Sequence, residues 1–308
     1  MLKYESNAMK AMILAAGLGT RLRPLTDRKP KALMPVVNKP VMGRVIQYLK
    51  EQGINSIVAN AHHHYQQVVH YLDEGRPFGL HIDVRVEPEI LGTGGGIKNT
   101  SDFWDSEPFL VMNSDILTNI NLGPAYEQHR NSGVLATLIL HDFEPFNQIQ
   151  SDDQGIITDI SPQSTPGRWA FTGIHIMEPE LLSHIPEGEF SDIIDCYRRL
   201  IRTGKSVRAY FTSGHHWHDI GTVGSYIKAN RALLSEEPFS IGRACQVDSS
   251  VRLEEWAIVG EKTRLEKDVV IRRSILWDQV RVKEGKRVID TVVTSSREVD
   301  CDLVGSIY

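Results

Sequence analysis

The sequence contains few cysteines and no long apolar run. Its 308 residues include only three cysteines, Cys196, Cys245 and Cys301, and these lack the paired spacing of a disulfide framework or a zinc site. No apolar stretch approaches the length of a membrane span. The net charge is −5, and no block of Lys and Arg stands out. We therefore expect a cytoplasmic protein with neither a membrane nor a nucleic-acid partner.

Residues 1–8 differ from the rest of the chain. The first five residues are too polar for a signal peptide. The tetrapeptide Ser-Asn-Ala-Met at 6–9 resembles a cloning remnant before a start at Met9. We expect residues 1–8 to be a tag or a disordered segment and exclude them from the fold prediction.

Short apolar runs alternate with helical patterns between residues 9 and 235. The run Ala11–Ala15 stops at Gly17, and Phe109–Met112 is followed by Asn-Ser and Asp115. Such alternation predicts an α/β fold with a doubly wound, mostly parallel sheet. Ligands bind beyond the carboxyl ends of such strands, where Gly17 and Asp115 are expected. Further predicted elements are strands at 54–59, 82–86, 171–177 and 207–211, and helices at 41–52, 65–72, 192–201 and 223–234.

The C-terminal region, residues 240–308, has a different period. Aliphatic residues recur every six positions there, which is typical of a left-handed parallel β-helix in which three hexads close one coil. The predicted register slips near Val282 and Val288. An open coil end is a sheet-like edge that needs covering, so we expect a homo-oligomer formed through this domain. The series comprises Ile241, Val247, Leu253, Val259, Leu265 and Ile271, with Trp277 as its extension.

A glycine-rich segment follows the first predicted strand. Glycines at 17 and 19 let backbone N–H groups approach phosphate oxygens closely. The segment is not a Walker A loop, because no Gly-Lys-Ser/Thr ends it, and Leu22 replaces the third glycine of a dinucleotide fingerprint. Asn60 also stands where a dehydrogenase would carry an acidic residue. The cations Arg21 and Lys31 beside the glycines suit a triphosphate.

The order Gly17-Leu18-Gly19-Thr20-Arg21, followed by Pro30-Lys31, resembles the signature of sugar-nucleotide pyrophosphorylases. These enzymes transfer a nucleotidyl group to a sugar-1-phosphate. The resemblance covers residues 10–234 and implies a nucleotide-diphospho-sugar transferase-like fold. The triple glycine within Leu91–Gly96 resembles the mannose-, heptose- and muramate-1-phosphate branches, in which this glycine loop packs on the nucleoside.

The resemblance also implies residue roles. Arg21 would bind the β- and γ-phosphates, and Lys31 would neutralise the reacting phosphates. Mg²⁺ would be held by Asp115, from Asn-Ser-Asp, and by Asp219, from Trp-His-Asp-Ile-Gly-Thr. The nucleotide would contact Leu14, Ala15, Gly17, Gly19, Thr20, Gly92 and Thr93, and the sugar would contact Thr172 and Gly173.

Two features bear on the substrate. Glu87 precedes the second glycine segment, where its carboxylate would accept hydrogen bonds from guanine or uracil, unless it is simply solvated. The Glu-Lys-Pro motif of many glucose-1-phosphate enzymes is absent before Phe171, which disfavours glucose-1-phosphate. Arg168 is the candidate replacement for the missing lysine, although an Arg in such a loop is usually solvated.

Two histidine groups lack zinc-ligand spacing. The group His62-His63-His64 is predicted to end a strand and face solvent. The group of His215, His216 and His218 precedes Asp219, so a contact with phosphate or sugar is one hypothesis.

The predicted reaction is NTP + sugar-1-phosphate → NDP-sugar + pyrophosphate. The preferred pair is GTP with mannose-1-phosphate or a related sugar, and the alternative is UTP with an N-acetylated sugar-1-phosphate. An alternative of another class is a non-catalytic nucleotide-sugar-sensing subunit. The presence of Arg21, Lys31, Asp115 and Asp219 argues against that subunit.

Overall fold

The computed structural model describes residues 9–234 and 236–308, so the predicted tag lies outside the described residues. The chain divides into two compact units. The first contains the described residues up to Leu18, Pro30–Ala32 and Arg44–His218. The second contains Gly19–Lys29, Leu33–Gly43 and Asp219–Tyr308, apart from the undescribed residue 235. The N-terminal segments 19–29 and 33–43 therefore belong to the same compact unit as the C-terminal region. The sequence instead predicted a domain boundary at 235–240.

The elements have the following bounds. The helices are α1 (Val41–Glu51), α2 (Tyr65–Leu72), α3 (Gly92–Lys98), α4 (Gly123–Arg130), α5 (Ile193–Arg202) and α6 (Val223–Leu233). The strands up to the last helix are β1 (Lys10–Leu14), β2 (Pro35–Val36), β3 (Lys39–Pro40), β4 (Ser56–Ala61), β5 (His81–Val86), β6 (Phe109–Asn113), β7 (Ile116–Thr118), β8 (Ala136–His141), β9 (Asn147–Ser151), β10 (Ile157–Ile160), β11 (Trp169–Met177), β12 (Val207–Phe211) and β13 (Trp217–Asp219). The later strands are β14 (Phe239–Ile241), β15 (Gln246–Val247), β16 (Arg252–Val259), β17 (Arg264–Leu265), β18 (Val270–Leu276), β19 (Arg281–Val282), β20 (Arg287–Ile289), β21 (Val292–Val293), β22 (Glu298–Val299) and β23 (Leu303–Val304).

The main sheet of the first unit is mixed. Strands β5, β4, β1 and β6 pair in parallel in that order. Strand β11 then runs antiparallel to both β6 and β8, and β12 pairs in parallel with β8. The predicted α/β fold is confirmed, with a mostly parallel sheet in which β10 and β11 run against the other strands. Within residues 9–234 and 236–308, no helix is long and apolar enough to cross a membrane.

The helical face predicted for α1 is buried. Val41, Val45, Ile46 and Leu49 are each at most 1% exposed. After this helix the chain reverses at Gly53, whose φ of 84° is a left-handed conformation that glycine adopts without strain. This reversal leads into β4, whose end contributes to the site described below.

Helix α5 packs its buried residues into the core against strands of the sheet. Its N-cap Asp192 accepts a hydrogen bond from the backbone N–H of Ile194 at 2.8 Å. Tyr197 is fully buried in the core, where its hydroxyl contacts His175 of β11. Burial lowers the pKa of His175 to about 3.

The C-terminal strands form a parallel solenoid. They stack in three rows, which together extend from residue 239 to residue 304. This is the arrangement expected of a β-helix, and its predicted left-handedness stays a prediction. The rows are Ile241–Val259–Leu276–Val293, Val247–Leu265–Val282–Val299 and Leu253–Ile271–Val288–Leu303.

The register of the solenoid differs from the prediction in one detail. The shift falls between Glu254 and Ala257, where the next coil has one residue fewer. Leu276 therefore takes the place in the row that was predicted for Trp277. The shift occurs earlier than predicted, and the rows continue through Val282 and Val288. A corner can lose one residue without changing the alternation of the strands on either side.

Glycines allow two corners of the solenoid to stack closely. A Cβ at Gly260 would lie 2.4 Å from the backbone carbon of Trp277, and a Cβ at Gly242 would lie 2.5 Å from the backbone nitrogen of Glu261. Neither position has room for a side chain.

The N-terminal segments of the second unit are fixed to α6 and to the solenoid. The hydroxyl of Tyr226 in α6 donates to the carbonyl of Pro35 at 2.6 Å. The side-chain amide of Asn38 donates to the carbonyl of Val259 at 3.0 Å. Trp277 is buried, and the ammonium of Lys29 lies 5.9 Å from the centroid of its ring. The segments 19–29 and 33–43 therefore have partners far along the chain.

Candidate active site

The first unit contains a cavity of about 360 Å³ beyond the carboxyl ends of β1, β4 and β6. This is the edge at which the sequence predicted ligand binding. Backbone from a glycine-rich turn, a lysine, two aspartates and two asparagines face one space. The lining residues are Leu14, Ala15, Ala16, Gly17, Lys31, Asn60, Ile90, Gly92, Thr93, Asn113, Ser114, Asp115, Phe190 and Asp192.

Lys31 and Asp115 form an ion pair in the wall of the cavity. The Lys31 Nζ donates to Oδ2 of Asp115. Their side chains are 16% and 14% exposed, so neither charge is well solvated. A half-buried pair gains little net stability, because desolvation offsets much of its attraction. The pair instead provides an ammonium that could bind a phosphate and a carboxylate that could bind a metal ion.

A hydrogen-bonded chain joins the first glycine turn to the start of α3. The backbone N–H of Ala15 donates to Oδ1 of Asn60 at 2.7 Å, and Nδ2 of Asn60 donates to Oε1 of Glu87 at 2.7 Å. The other oxygen of Glu87, Oε2, accepts from the backbone N–H of Leu91 at 3.0 Å. Asn60 is 2% exposed and Glu87 is 1% exposed. Two segments of the cavity wall are thus held at a fixed separation by buried polar groups.

These hydrogen bonds change the interpretation of Glu87. The sequence left it as a base-binding carboxylate or a solvated one, but it is buried and does not line the cavity. Both of its oxygens already accept hydrogen bonds from the protein. Glu87 therefore supports the site, and the geometric argument for guanine over uracil no longer holds.

The second glycine segment is a helix rather than a loop. Gly94, Gly95 and Gly96 lie in α3 and are buried. A Cβ at Gly95 would lie 2.6 Å from the carbonyl oxygen of Glu189, and a Cβ at Gly96 would lie 2.6 Å from Nδ2 of Asn60. The contact of this segment with a nucleoside stays a prediction, and it is carried by Gly92 and Thr93 rather than by the buried glycines. Its triple glycine serves close packing, and Gly92 and Thr93 line the cavity.

The predicted sugar-binding residues lie beside the cavity, on β11. Thr172 is fully buried, and its hydroxyl donates to the carbonyl of Ile139 at 2.8 Å. Its carbonyl accepts from Nε1 of Trp217 at 2.9 Å. Gly173 has a φ of 79°, and a Cβ there would lie 2.8 Å from Nδ2 of Asn113, a cavity residue. The polar groups of Thr172 are therefore engaged within the protein, while Gly173 permits close packing against Asn113.

The remaining predicted site residues belong to the second unit. Gly19 has a φ of 64° and precedes a 3-10 turn, Thr20–Leu22, in which Thr20 and Arg21 are exposed. A Cβ at Gly221 would lie 2.8 Å from Oδ1 of Asp219 and 3.1 Å from Nη2 of Arg21. The side chains of Asp219 and Arg21 therefore both lie close to this glycine.

Comparison with known proteins identifies the family. Residues 10–236 match the family model described as nucleotidyl transferase. This chain belongs to the nucleotidyl transferase family. The chain is 28% identical to a UTP–glucose-1-phosphate uridylyltransferase from Synechocystis, over 95% of this chain and 89% of that protein. It is 34% identical to an N-acetylmuramate α-1-phosphate uridylyltransferase from Neisseria meningitidis, over 70% of this chain and 94% of that protein.

A solved structure of the same fold supports this assignment. A protein described as a glucose-1-phosphate thymidylyltransferase from Bacillus anthracis superposes with a TM-score of 0.65 at 26% identity, over 74% of this chain and 96% of that one. The predicted family is therefore confirmed, and the chain is a nucleotidyl transferase.

Several cavity residues of this nucleotidyl transferase were missed from the sequence, among them Asn60, Phe190 and Asp192. Asn60 was noted only for not being acidic. Phe190 and Asp192 precede α5, and the sequence marks Asp192 only as a helix start. Thr93 connects this segment to α3, because its hydroxyl oxygen accepts from the backbone N–H of Ile193 at 2.9 Å. The Asn at a strand end and the Asp at an N-cap could have been singled out from the sequence. Their position in one cavity could not have been predicted from it.

Two residues considered from the sequence, Arg168 as a replacement for the missing lysine and His62 of the first histidine group, contact other parts of the protein. Arg168 donates to Oδ2 of Asp159 at 2.7 Å and to the carbonyl of Gln148 at 3.0 Å, so its guanidinium is engaged away from the cavity lining. His62 follows β4, as predicted, and its Nδ1 lies 2.8 Å from the carbonyl oxygen of Glu87.

Proposed function

We propose that this nucleotidyl transferase transfers the nucleotidyl group of a nucleoside triphosphate to a sugar-1-phosphate and releases pyrophosphate. The observation that carries the proposal is the cavity in which the glycine turn, Lys31 and Asp115 face one space. Its volume, about 360 Å³, lies in the range typical of small-molecule sites. The names of the similar proteins support the sugar-1-phosphate as the acceptor class.

The proposed reaction is an in-line substitution at the α-phosphorus. A phosphate oxygen of the sugar-1-phosphate forms a new P–O bond, and the bond to the β-phosphate breaks so that pyrophosphate leaves with its electron pair. The attacking oxygen is already ionised near neutral pH, so no general base is required. Both reactants are anions, and the protein must therefore supply positioning and positive charge.

Lys31 is the proposed source of positive charge at the reacting centre. Its side chain is only 16% exposed, which strengthens its interaction with phosphate oxygens compared with a solvated lysine. The backbone N–H groups of Ala16 and Gly17 are the proposed donors to phosphate oxygens, because the N–H of Ala15 already donates to Asn60. The space beside this backbone is open, since a Cβ at Gly17 would meet nothing within 4 Å. Arg21, which is exposed in the second unit, remains the proposed ligand of the β- and γ-phosphates.

The residues present fit a divalent cation, and Mg²⁺ is the proposed ion. Within residues 9–234 and 236–308, no group of three or more His, Cys, Asp or Glu side chains could form an all-protein metal site. This suits Mg²⁺, which usually binds one or two carboxylates and completes its shell with water and substrate phosphates. Asp115 would hold the ion in the first unit, and Asp219 remains its proposed second ligand. When bound, the ion would neutralise phosphate charge.

Two nucleotides are candidates for the donor. GTP with mannose-1-phosphate was the preferred pair from the sequence, and a mannose-1-phosphate guanylyltransferase from rice is 27% identical over 91% of this chain. UTP is favoured by the two uridylyltransferases reported above. Because Glu87 is engaged within the protein, the choice between them depends on the assay below.

The test is a matrix of GTP, UTP, dTTP, CTP and ATP against several sugar-1-phosphates with Mg²⁺, scored by released pyrophosphate. We expect one nucleotide to give turnover that depends on both substrates. A folded protein that releases no pyrophosphate with any pair, but binds a nucleotide-sugar in calorimetry, would instead support the non-catalytic sensing subunit.

A further inference from the structure

The one-residue shift in the solenoid moves Trp277 out of the interior row. Leu276 fills the interior position, and Trp277 is the next residue along the chain. The interior side chains include Leu276 and Val280, on either side of Trp277 in the sequence. Trp277 is nevertheless only 3% exposed, and its indole contacts parts of the second unit outside the solenoid. A large aromatic side chain is therefore available to hold other segments against the solenoid.

The indole of Trp277 contacts two segments that lie far apart in the sequence. The ammonium of Lys29 lies 5.9 Å from the centroid of its ring, within the range of a cation–π contact. The Nε1 of the same indole donates to the hydroxyl of Tyr226 in α6 at 2.9 Å. One side chain of the solenoid thus connects the segment 19–29 with α6.

The segment that ends at Lys29 has an ordered backbone where it carries Arg21. The hydroxyl of Thr26 donates to the carbonyl of Gly19 at 2.9 Å, and the backbone N–H of Leu22 donates to the same carbonyl at 3.0 Å. Leu22 is fully buried, whereas Arg21 beside it is exposed. A displacement of Lys29 would therefore be transmitted to the turn that presents the arginine.

Helix α6 fixes Asp219, which lies just before it. The helix begins with a capping box, in which Oγ1 of Thr222 accepts from the backbone N–H of Ser225 at 3.1 Å and the N–H of Thr222 donates to Oγ of Ser225 at 3.0 Å. Ile220, between Asp219 and this cap, is fully buried. Tyr226 follows the cap by one turn and is also fully buried. A shift of α6 at Tyr226 would therefore move Asp219.

The two segments come together at Gly221, where the charged groups of Asp219 and Arg21 lie close to the same point. Attraction between charges at the protein surface contributes little, and the long arginine side chain loses conformational entropy when it is ordered. The arrangement of the two groups therefore depends on how firmly their backbone segments are held. Trp277 contacts both of the structures that hold them.

We propose that Trp277 is a positioning residue for the groups that bind the phosphates and the metal ion of the nucleotide. Through Lys29 it orders the segment that carries Arg21, and through Tyr226 it orders the helix that follows Asp219. The solenoid thereby contributes to phosphate binding without contacting the substrate. This inference rests on the proposed function, in which Arg21 binds the β- and γ-phosphates and Asp219 is a ligand of Mg²⁺.

The first experiment measures the binding of inorganic tripolyphosphate with Mg²⁺ by calorimetry, because this probe contains neither a base nor a sugar. Trp277→Leu removes both contacts, so the Kd should rise by about tenfold. The KM for the nucleotide should rise in parallel, while the acceptor KM stays constant. Trp256→Leu is the matched control, because it truncates another buried Trp of the solenoid. Equal changes in the two variants would show general loosening of the solenoid and would overturn the proposal.

Tyr226→Phe tests the contact with α6 by a change that keeps the buried ring. With Mg²⁺, the Kd for tripolyphosphate should rise by about threefold. In EDTA the Kd should equal that of the unmodified protein, because Asp219 acts through the metal ion. Tyr126→Phe is the control, since that hydroxyl also donates to a proline carbonyl, that of Pro108 at 2.9 Å. An unchanged Kd in Tyr226→Phe with Mg²⁺, or an equal rise in the control, would overturn this part of the proposal.

A double-mutant cycle tests the contact with Lys29. Lys29→Gln should raise the Kd for tripolyphosphate by about threefold, but it also removes a positive charge. If Lys29 acts through Trp277, adding Lys29→Gln to Trp277→Leu should change the Kd by less than about 1.5-fold. Effects that multiply would mean that Lys29 acts through its charge alone, against the proposal. If the unmodified protein binds no tripolyphosphate and releases no pyrophosphate with any substrate pair, the proposed function itself fails.

Discussion

The indole Nε1 of Trp277 donates a hydrogen bond of 2.9 Å to the hydroxyl of Tyr226. That hydroxyl in turn donates to the carbonyl of Pro35 at 2.6 Å. Both aromatic residues are buried, Tyr226 completely. The three groups connect the solenoid, α6 and the segment that follows Lys31 in the sequence.

Trp277→Phe should therefore destabilise the protein. The variant keeps a buried ring but removes the donor, so the free energy of unfolding should fall by about 1 kcal/mol. Denaturant unfolding measures the effect. Trp256→Phe, a change of the same type at a buried Trp in the same unit, controls for the smaller ring. Equal losses in the two variants would show that the hydrogen bond contributes nothing.

Lys31→Ala and Asp115→Ala should each lower kcat by at least about tenfold, with native circular dichroism. Loss of Lys31 removes positive charge at the reacting phosphates, and loss of Asp115 removes the proposed metal ligand. Titration with Mg²⁺ separates the two. Asp115→Ala should require more Mg²⁺ for half-maximal rate, whereas Lys31→Ala should not. Near-normal turnover in both variants would refute these roles.

Asn60→Ala should weaken nucleotide binding and destabilise the first unit. It leaves the N–H of Ala15 and Oε1 of Glu87 without their partner in a buried setting, at a cost of about 1–3 kcal/mol. The KM for the nucleotide should rise while the acceptor KM stays constant, because the glycine turn loses its support. Gln52→Ala is a control, since this amide accepts from the N–H of Leu122 at 2.9 Å, outside the cavity lining.

Gly260→Ala should unfold or strongly destabilise the solenoid, because the new Cβ would lie 2.4 Å from the backbone of Trp277. Gly224→Ala makes the same substitution in α6, where nothing lies within 4 Å of the new Cβ. There the exchange should be neutral or stabilising by up to about 1 kcal/mol. Thermal midpoints compare the two variants, and similar midpoints would contradict the packing argument.

Stability should fall as the pH drops from about 6.5 towards 4. Burial lowers the pKa values of His175 and His141 to about 3 and about 4, from an ordinary value of 6.5. In this window the unfolded chain binds protons that the folded chain does not, so protonation favours unfolding by on the order of 1 kcal/mol per histidine at pH 5.5. His175→Gln should flatten the dependence of the unfolding free energy on pH. Exposed His70→Gln should leave it unchanged.

The sequence predicted the elements with strong periodicity. Helix α2 and strand β12 have the predicted bounds, and α1 has the predicted apolar face. The hydrophobic pattern of a strand does not depend on its direction in the sheet, so the antiparallel orientation of β11 could not be predicted. The strands β8, β9 and β10 were missed altogether.

At the site, the sequence correctly predicted residues that belong to a specific motif. It was wrong where one residue type can have several structural roles. Lys31 and Asp115 were expected to share a site, and they form an ion pair in the cavity. Glu87 was expected at the base or in solvent, but a carboxylate can equally be buried when N–H groups surround it. The resemblance implied a loop at the glycines of α3, which instead form a helix, because close packing outweighs the low helix propensity of glycine here.

The second unit combines segments that lie far apart in the sequence, which determines how late in translation it can fold. Pro35 leaves the exit tunnel long before Tyr226, which follows 191 residues later, and Trp277 emerges another 51 residues after that. The nascent segment carrying Pro35 therefore lacks these two distant partners until nearly the whole chain has been translated. A stalled or prematurely terminated polypeptide ending before residue 277 would lack the anchor that completes this arrangement.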